Sequence, residues 1–303
     1  MKKIVPIILL LAFVINDLLG QDKFVDEENI GFTYYDVQTT RSMQDRIFVF
    51  EDGTIGAVFN MGLELPVPYD WKIGYNYFDG NAWSTGPTQS ITSGLAINPF
   101  YTNYGENGEI VASEGSNGLF INYRMEKGTG NWQEFFLQGP TGCEKLYSPQ
   151  IVTSGPDNQV IHVFALCKDT TQNLQFQDNI GKVVYSRSIN GGTTWDPLHF
   201  EFSFNADYFG FSELAIKAAD PKNSTVAIVA GDYFTDLILM KSTDEGETWE
   251  KTTIVEHPYP WMEFGVMQTD TFWTHTGSMD VALDIDGMAH VTFSLCHISS
   301  EIP

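Results

Sequence analysis

The sequence contains one short motif twice, and this repeat limits the folds that the chain can adopt. Ser188–Trp195 reads SINGGTTW and Ser242–Trp249 reads STDEGETW, so both fit the pattern S-x-D/N-x-G-x-T-W. In such a turn the short Asn or Asp side chain can bond turn amides, and Gly supplies the positive φ of a tight hairpin. The tryptophan then folds back and covers the edge of the unit. A repeated turn of this kind indicates a propeller or a solenoid built from similar units.

Weaker copies of the turn, which keep Gly and Trp but lose the serine, lie at 79–83 and 128–132. The tryptophans of the four turns are about 55 residues apart on average, slightly more than one four-stranded blade. Short apolar or alternating segments, bounded by Gly, Asn and Asp turns, recur along the chain without a helical period. The sequence predicts an all-β fold with four blades and the start of a fifth at Met279–Asp284.

The two clear copies resemble the Asp-box, or BNR, repeat of the sialidase-like β-propellers. The resemblance implies a β-propeller of four-stranded blades over residues 45–303, preceded by a lead-in segment at residues 21–44. It also gives a structural role in the turns to Ser188, Asn190, Gly192, Trp195, Ser242, Asp244, Gly246 and Trp249. Propellers of this family have six blades, whereas this chain covers about five and has no box after Met288–Ser294.

The incomplete last blade has two interpretations. In the first, the chain is truncated at its C-terminus, because closed propellers leave only short, protected edges. In the second, the propeller is complete with five blades, and Ile30–Val37 supplies a missing strand to the last one. We expect the first.

The N-terminus has the order of a secretory signal peptide, predicted at residues 1–20. Lys2 and Lys3 precede the apolar run Ile4–Ile15, and the small residue Gly20 follows before Gln21. The run is too short to span a bilayer, and we expect no membrane span later in the chain. The sequence therefore predicts a protein that is secreted or at the cell surface, in an extracellular or periplasmic compartment.

The net charge and the positions of the cysteines and histidines limit the ligands and partners that the protein can bind. With 16 Lys and Arg against 39 Asp and Glu, the net charge of −23 disfavours nucleic acid and anionic lipid surfaces. Cys143, Cys167 and Cys296 have no CxxC spacing, and the histidines are dispersed, so we expect no metal site and no cofactor. Cys167 and Cys296 end apolar runs and fit buried free thiols, although a disulfide between two of the three cysteines stays open.

Sialidase chemistry needs three arginines that hold a carboxylate, a Tyr nucleophile with a Glu, and an Asp acid. The segment Arg46–Val58 resembles the opening strand pair of that family, which places Arg46 at its first arginine, although Phe48 replaces the family's proline. Glu64 and Asp70 are the nearby acids and the candidates for the catalytic acid. Three usable arginines are not evident, since Arg187 lies beside a box, at the blade end where the family does not place its active site.

Two alternatives remain open for Arg46, which either contacts a ligand or pairs with a local acid such as Asp45. Aromatic loops at 66–71, 207–211 and 257–261 offer faces that can stack on sugars, and Trp71 and Trp261 are the candidates for ligand contact. We therefore predict an exported propeller that recognises extracellular carbohydrate or a protein surface without catalysis. The alternative is an exo-sialidase-type glycoside hydrolase whose late catalytic residues lie beyond residue 303.

Overall fold

The computed structural model describes residues 27–34, 38, 45–63, 70–167, 181–208, 210–212, 215–260 and 266–300. Glu64, Trp261 and the predicted signal peptide lie outside these residues, so their structural roles stay predictions. Strands dominate the described chain, and its one short 3-10 helix covers Ser203–Asp207.

The strands form five antiparallel sheets in which neighbours in the sheet are neighbours in the chain. The first sheet contains β1 (Ile47–Val49), β2 (Ile55–Met61) and β3 (Lys72–Phe78). The second contains β4 (Ile97–Tyr104), β5 (Gly108–Gly115), β6 (Gly118–Arg124) and β7 (Gln133–Leu137). The third contains β8 (Leu146–Ser154), β9 (Val160–Cys167), β10 (Lys182–Ser188) and β11 (Phe200–Glu201). The fourth contains β12 (Ile216–Ala218), β13 (Val226–Ala230), β14 (Leu237–Ser242) and β15 (Glu250–Val255), and the last contains β16 (Phe272–Leu283) and β17 (Ala289–Ile298).

The first strands of successive sheets contact one another, from β1 to β4, β8, β12 and β16. The later strands of each sheet extend outward from this inner set, which is the arrangement of a β-propeller. The predicted all-β class and the repeated four-stranded blades are confirmed. The first sheet has three strands and the last has two in the described part of the chain.

The core lies between the blades. Strands such as β5 are buried along their whole length, because each face of a middle blade packs against a neighbour. The largest apolar cluster joins the second, third and fourth sheets and includes Phe100, Ile151, Phe164 and Tyr185. Burial of each such side chain contributes roughly 1.5–3 kcal/mol relative to its exposure.

Each clear box forms a compact turn in which the serine and the Asx residue bond backbone amides. In the first, Gly192 N donates to Ser188 Oγ at 2.8 Å, and Thr194 N donates to Asn190 Oδ1 at 2.9 Å. The second box repeats both bonds, from Gly246 N to Ser242 Oγ at 2.8 Å and from Thr248 N to Asp244 Oδ1 at 2.9 Å. The glycines have φ values of 82° and 83°, which explains why glycine occupies this position in both turns.

An arginine at the end of β10 joins the third blade to the box of the fourth. Arg187 donates from Nη1 to the Glu245 carbonyl at 3.0 Å and from Nη2 to Glu247 Oε1 at 2.6 Å. Arg124 occupies the matching place on β6, where it bonds buried Glu109 and lies over the Trp132 ring at 4.5 Å. Both guanidinium groups therefore stabilise contacts around the box turns.

The structure corrects the interpretation of one cysteine. Cys143 and Cys167 form a disulfide with a Cα–Cα distance of 5.5 Å, so the interpretation of Cys167 as a free thiol is wrong, whereas Cys296 is a free thiol. The strands β8 and β9 bring the two cysteines together, because Leu146 pairs with Cys167.

The structure also bears on the segment Ile30–Val37 of the five-bladed alternative. The described part of its N-terminal segment lies on the first sheet, where Asn76 Nδ2 donates to the Ile30 carbonyl at 2.6 Å and Tyr34 N to the Gly62 carbonyl at 2.9 Å. Gly31 fits against the Phe59 ring, which leaves no room for a side chain. These residues therefore do not supply a strand to the last blade.

We predict that Gly246→Ala destabilises the protein by about 2–4 kcal/mol, because the residue has positive φ and a Cβ would overlap the Tyr185 hydroxyl. Gly53→Ala is the matched control, since Gly53 has φ +81° but no neighbouring atom within 4 Å. Urea unfolding followed by circular dichroism measures both free energies of unfolding. Equal losses in the two variants would show that inter-blade contact at Gly246 does not matter.

Candidate functional site

The blades have two different ends. The turns between first and second strands lie with the box turns at one end, which we call the box end. The loops between second and third strands lie with the connections between sheets at the opposite end, the loop end. Arg46, before β1, and Asp70 and Trp71, before β3, are all at the loop end of the first blade. Arg124 and Arg187 are at the box end, as the resemblance implied for Arg187.

Arg46 is held by side chains of its own blade region. Its Nη1 donates to Gln38 Oε1 at 2.9 Å, and Gln38 Nε2 donates to the Asn60 carbonyl at 2.6 Å. Burial lowers the pKa of the Arg46 guanidinium to about 10, so the group stays charged at neutral pH.

Asp45 has a different partner from the one suggested by its sequence position. Its carboxylate forms an ion pair with Lys217 of β12, so Asp45 is not the acid that pairs with Arg46 in the second of the two alternatives. The Lys217 ammonium also lies over the Phe100 ring at 5.2 Å from the ring centre. Burial is the largest influence on the pKa of Asp45 and raises it, while Lys217 opposes this rise. The pair links the first and fourth blades across the inner strands.

A cleft of about 450 Å³ opens at the loop end of the first blade. One wall comes from the end of β2, from Leu63 and Asp70, and from the start of β3, and the other comes from the connection that leads to β4. Its lining consists of Met61, Leu63, Asp70, Lys72, Thr88, Gln89, Ser90, Thr92 and Ser93. Seven of the nine lining side chains are polar and provide one carboxylate, one ammonium group, one amide and four hydroxyls, while Met61 and Leu63 add apolar surface.

The hydroxyl-bearing wall is fixed to the first blade by Ser90. Ile73 N donates to Ser90 Oγ at 3.3 Å, the same hydroxyl donates to the Ile73 carbonyl at 3.1 Å, and Thr92 N donates to it at 2.9 Å. Side-chain bonds of this kind hold a connection in one conformation. The position of this wall is therefore set before any ligand binds.

The second blade holds the same wall from its outer strands. Ser93 N donates to Glu134 Oε2 at 2.9 Å, and Ser93 Oγ bonds the other carboxylate oxygen. Asn122 Nδ2 donates to Glu134 Oε2 and to the Ile91 carbonyl, both at 2.8 Å. Sequence reasoning missed Glu134 and Asn122, because nothing in their local pattern links them to residues about 30–40 positions away.

The two charged groups of the cleft differ in their environment. Asp70 Oδ2 accepts a hydrogen bond from Leu63 N at 2.7 Å, which fixes the carboxylate against the loop that precedes it. The Lys72 ammonium makes no ion pair with the residues that the structure describes. Trp71 is half-buried and its carbonyl accepts from Ala96 N at 2.8 Å, but its side chain is not among the lining residues.

A buried polar chain continues from Asn60 toward the third blade. Asn98 N donates to Asn60 Oδ1 at 2.8 Å, Asn98 Nδ2 donates to Glu114 Oε1 at 3.1 Å, and Ser148 N donates to the same oxygen at 2.7 Å. Asn98 and Ser148 have φ values of 54° and 49°, and each precedes a proline at a bulge in the first strand of its sheet. Sequence reasoning missed this repeated feature, and the Asn-Pro and Ser-Pro dipeptides are the local signal that marks it.

Metal and membrane features give no further candidate. Among the described residues, no three His, Cys, Asp or Glu side chains are grouped so that they could hold a metal ion. In the same part of the chain, no helix has the length and apolar character needed to cross a membrane.

No family model matches the chain. The xyloglucanase Xgh74A from Acetivibrio thermocellus is 34% identical in an alignment of 125 residues, and the match covers 35% of this chain and 14% of the xyloglucanase. The structure of a mutant of AofleA from Arthrobotrys oligospora is similar with a TM-score of 0.51 and 12% identity, over 83% of this chain and 64% of that chain. A mutant NanB sialidase from Streptococcus pneumoniae gives a TM-score of 0.46 and 13% identity, over 73% of this chain and 32% of the sialidase.

The chain has an all-β fold of antiparallel blades arranged as in a β-propeller. At these identities the structural likeness concerns the fold alone. The xyloglucanase likeness covers a small part of that enzyme, and this chain spans 14% of its length. The proposal for a function therefore rests on the geometry of the loop-end cleft.

We predict that Glu134→Ala loosens the cleft wall, because Ser93 and Asn122 both lose an acceptor. Loss of hydrogen bonds to a charged group costs about 1.5–3 kcal/mol, so amide exchange at 88–94 should accelerate about tenfold or more. Hydrogen exchange with mass spectrometry measures this rate. Glu126→Ala is the matched control, as Glu126 is an exposed acid of the same blade. Equal exchange in the two variants would exclude Glu134 as a support of the wall.

Proposed function

We propose that this protein recognises carbohydrate through the loop-end cleft of its first blade and does so without catalysis. The observation that carries the proposal is the lining, which presents Asp70, Lys72 and a row of hydroxyl and amide side chains to one cavity. Such groups donate and accept hydrogen bonds in the way that sugar hydroxyls require. The volume of about 450 Å³ lies in the range of small-molecule sites.

The rigidity of the cleft supports recognition. Ser90 and Glu134 fix one wall, and Leu63 N holds the Asp70 carboxylate, so these described groups need little ordering when a ligand binds. Preorganised polar groups lose less entropy when they bind a ligand, which raises affinity for a given set of contacts. A polar, rigid cleft suits a hydroxyl-rich ligand better than a flexible apolar one.

An extracellular setting fits the same proposal. The disulfide between Cys143 and Cys167 is of a kind that persists in oxidising compartments, and the N-terminus has the order of a signal peptide. The local likeness to a xyloglucanase also supports a carbohydrate ligand. We therefore propose that the protein is exported and that its ligand is an extracellular glycan.

The carboxylates of the cleft favour binding without catalysis. Hydrolysis of a glycoside normally needs two carboxyl groups about 5–10 Å apart, on either side of the bond. Among the described residues that line the cleft, Asp70 is the one carboxylate, and Leu63 N already bonds one of its oxygens. This arrangement supports binding better than general acid–base chemistry.

The exo-sialidase alternative rests on Arg46 and Asp70, which lie at the same end of the first blade. In that alternative Arg46 holds the sugar carboxylate and either Asp70 or Glu64 is the acid. Two further arginines would be needed to complete the grip, whereas Arg124 and Arg187 bond groups at the box end.

We predict that Asp70→Asn and Lys72→Ala each weaken glycan binding by about tenfold, because each removes a charge-assisted hydrogen bond worth about 1.5 kcal/mol. Calorimetric titration with a xyloglucan oligosaccharide and with sialyllactose, after a screen on a glycan array, measures the affinity. Lys222→Ala is the matched control, since Lys222 is a half-buried lysine at the box end. Full affinity in the Asp70→Asn, Lys72→Ala double variant would reject the cleft. Trp71→Ala and Trp261→Ala test the two aromatic candidates in the same assay.

We predict that the protein releases no fluorophore from an aryl sialoside, because a sialic acid carboxylate needs a cluster of arginines and Arg46 is the one arginine that the described residues place at the loop end. The assay compares the wild type with Arg46→Ala and Asp70→Asn at equal protein concentration. Turnover that disappears in both variants would establish the sialidase alternative.

A further inference from the structure

The loop between β13 and β14, Gly231–Asp236, anchors three neighbouring segments at the loop end of the fourth blade. Its Asp232 accepts from Ser212 N at 2.8 Å, which ties the connection that precedes β12. Its Thr235 carbonyl accepts from His275 Nε2 of β16 at 3.0 Å. The third segment is Glu256–Pro260, which leaves β15 and which we call the strap.

The strap is attached to this loop mainly through His257, which is buried. The His257 amide donates to Asp236 Oδ1 at 2.8 Å, and ring atom Nε2 bonds the Tyr233 carbonyl at 2.9 Å. The other ring atom, Nδ1, accepts from Tyr259 N at 3.0 Å. The imidazole also meets the Phe272 ring edge-on at 5.2 Å.

These partners require one protonation state of the imidazole. A carbonyl can only accept, so Nε2 carries the proton, and a backbone N–H can only donate, so Nδ1 must keep its lone pair. A second proton on Nδ1 would face the Tyr259 N–H and abolish that bond. It would also place a positive charge on a buried ring.

We propose that His257 is a pH-sensitive latch that docks the strap on the fourth blade at neutral pH and releases it in acid. Release would free Tyr259 from its contact with Phe272, whose ring centres are 5.1 Å apart, and so alter the loop-end surface. The proposal concerns the fold of this end and does not depend on the proposed glycan site.

The charged and titratable neighbours fit this direction. Burial lowers the pKa of His257 below 6.5, against the opposing effect of Asp236. The neutral His257 imidazole therefore makes its full contribution to the stability of the docked strap above pH 6.5. This contribution falls as the pH decreases below 6.5. The other titratable groups that face this region are Asp232, Tyr233, Tyr208, His275, Glu256 and Tyr259.

Two of these neighbours could produce a pH response of their own. Burial lowers the pKa of His275, so acid destabilises its docked form as it does that of His257. Burial raises the pKa of Asp232, so its protonated form gains stability in acid, which is the opposite sign. Variants at these two positions therefore separate the latch from its surroundings.

The test is hydrogen exchange of the Tyr259 amide at pH 7.5 and pH 5.0, corrected for the intrinsic exchange rate at each pH. We expect the wild type to lose about tenfold or more of its protection at pH 5.0. His257→Asn keeps an acceptor for Tyr259 N that does not titrate in this range, and we expect equal protection at both pH values. His275→Gln and Asp232→Asn should keep the wild-type response. A pH response that survives in His257→Asn, or one that disappears in His275→Gln, would overturn the proposal.

A second measurement does not depend on the variants folding. The ring proton resonance of His257 in the wild type gives its pKa by NMR titration. We expect this pKa to lie below 6.5 and the loss of Tyr259 amide protection to follow the same transition. Loss of protection at a pH where His257 remains neutral would contradict the latch.

Discussion

Packing between adjacent blades is the interaction on which the rest of this structure depends. Tyr185 of the third blade is fully buried, stacks with Phe164 at 4.9 Å, and meets Trp249 of the next box edge-on at 5.0 Å. Each such aromatic pair adds about 0.5–1.5 kcal/mol beyond the burial of its area. The second box turn places Trp249 at this interface, and Arg187 of the third blade donates a hydrogen bond to the Glu245 carbonyl of the same turn. The repeated motif therefore encodes contacts between blades as well as turns within them.

Because the blades are fixed at the box end, polar groups can be concentrated at the loop end without loss of order. Buried hydrogen bonds run from Asn60 through Asn98 to Glu114 and tie the first three sheets together. The ion pair between Asp45 and Lys217 adds a link between the first and fourth blades. The cleft beside Asp70 and the strap held by His257 are both supported by this frame.

The sequence predicted the repeated blades well, since the alternation of strands and the two box turns are local signals. It could not predict the cleft, because Lys72, Ser93 and Glu134 belong to different elements and carry no motif. The disulfide could not be predicted either, because the pairing of Cys143 with Cys167 depends on the register of β8 against β9. The partner of Asp45 could not be predicted from the sequence either. Asp45 pairs with Lys217, which is 172 residues away in the chain, and not with the adjacent Arg46.

Amide chemical-shift mapping during a titration with a glycan oligosaccharide tests the central claim, that the loop-end cleft binds carbohydrate. The account predicts that saturable shifts cluster at Met61–Leu63, Asp70–Lys72 and Thr88–Ser93, with none at the box turns. Shifts confined to the box end, or none for any glycan of the array, would contradict it.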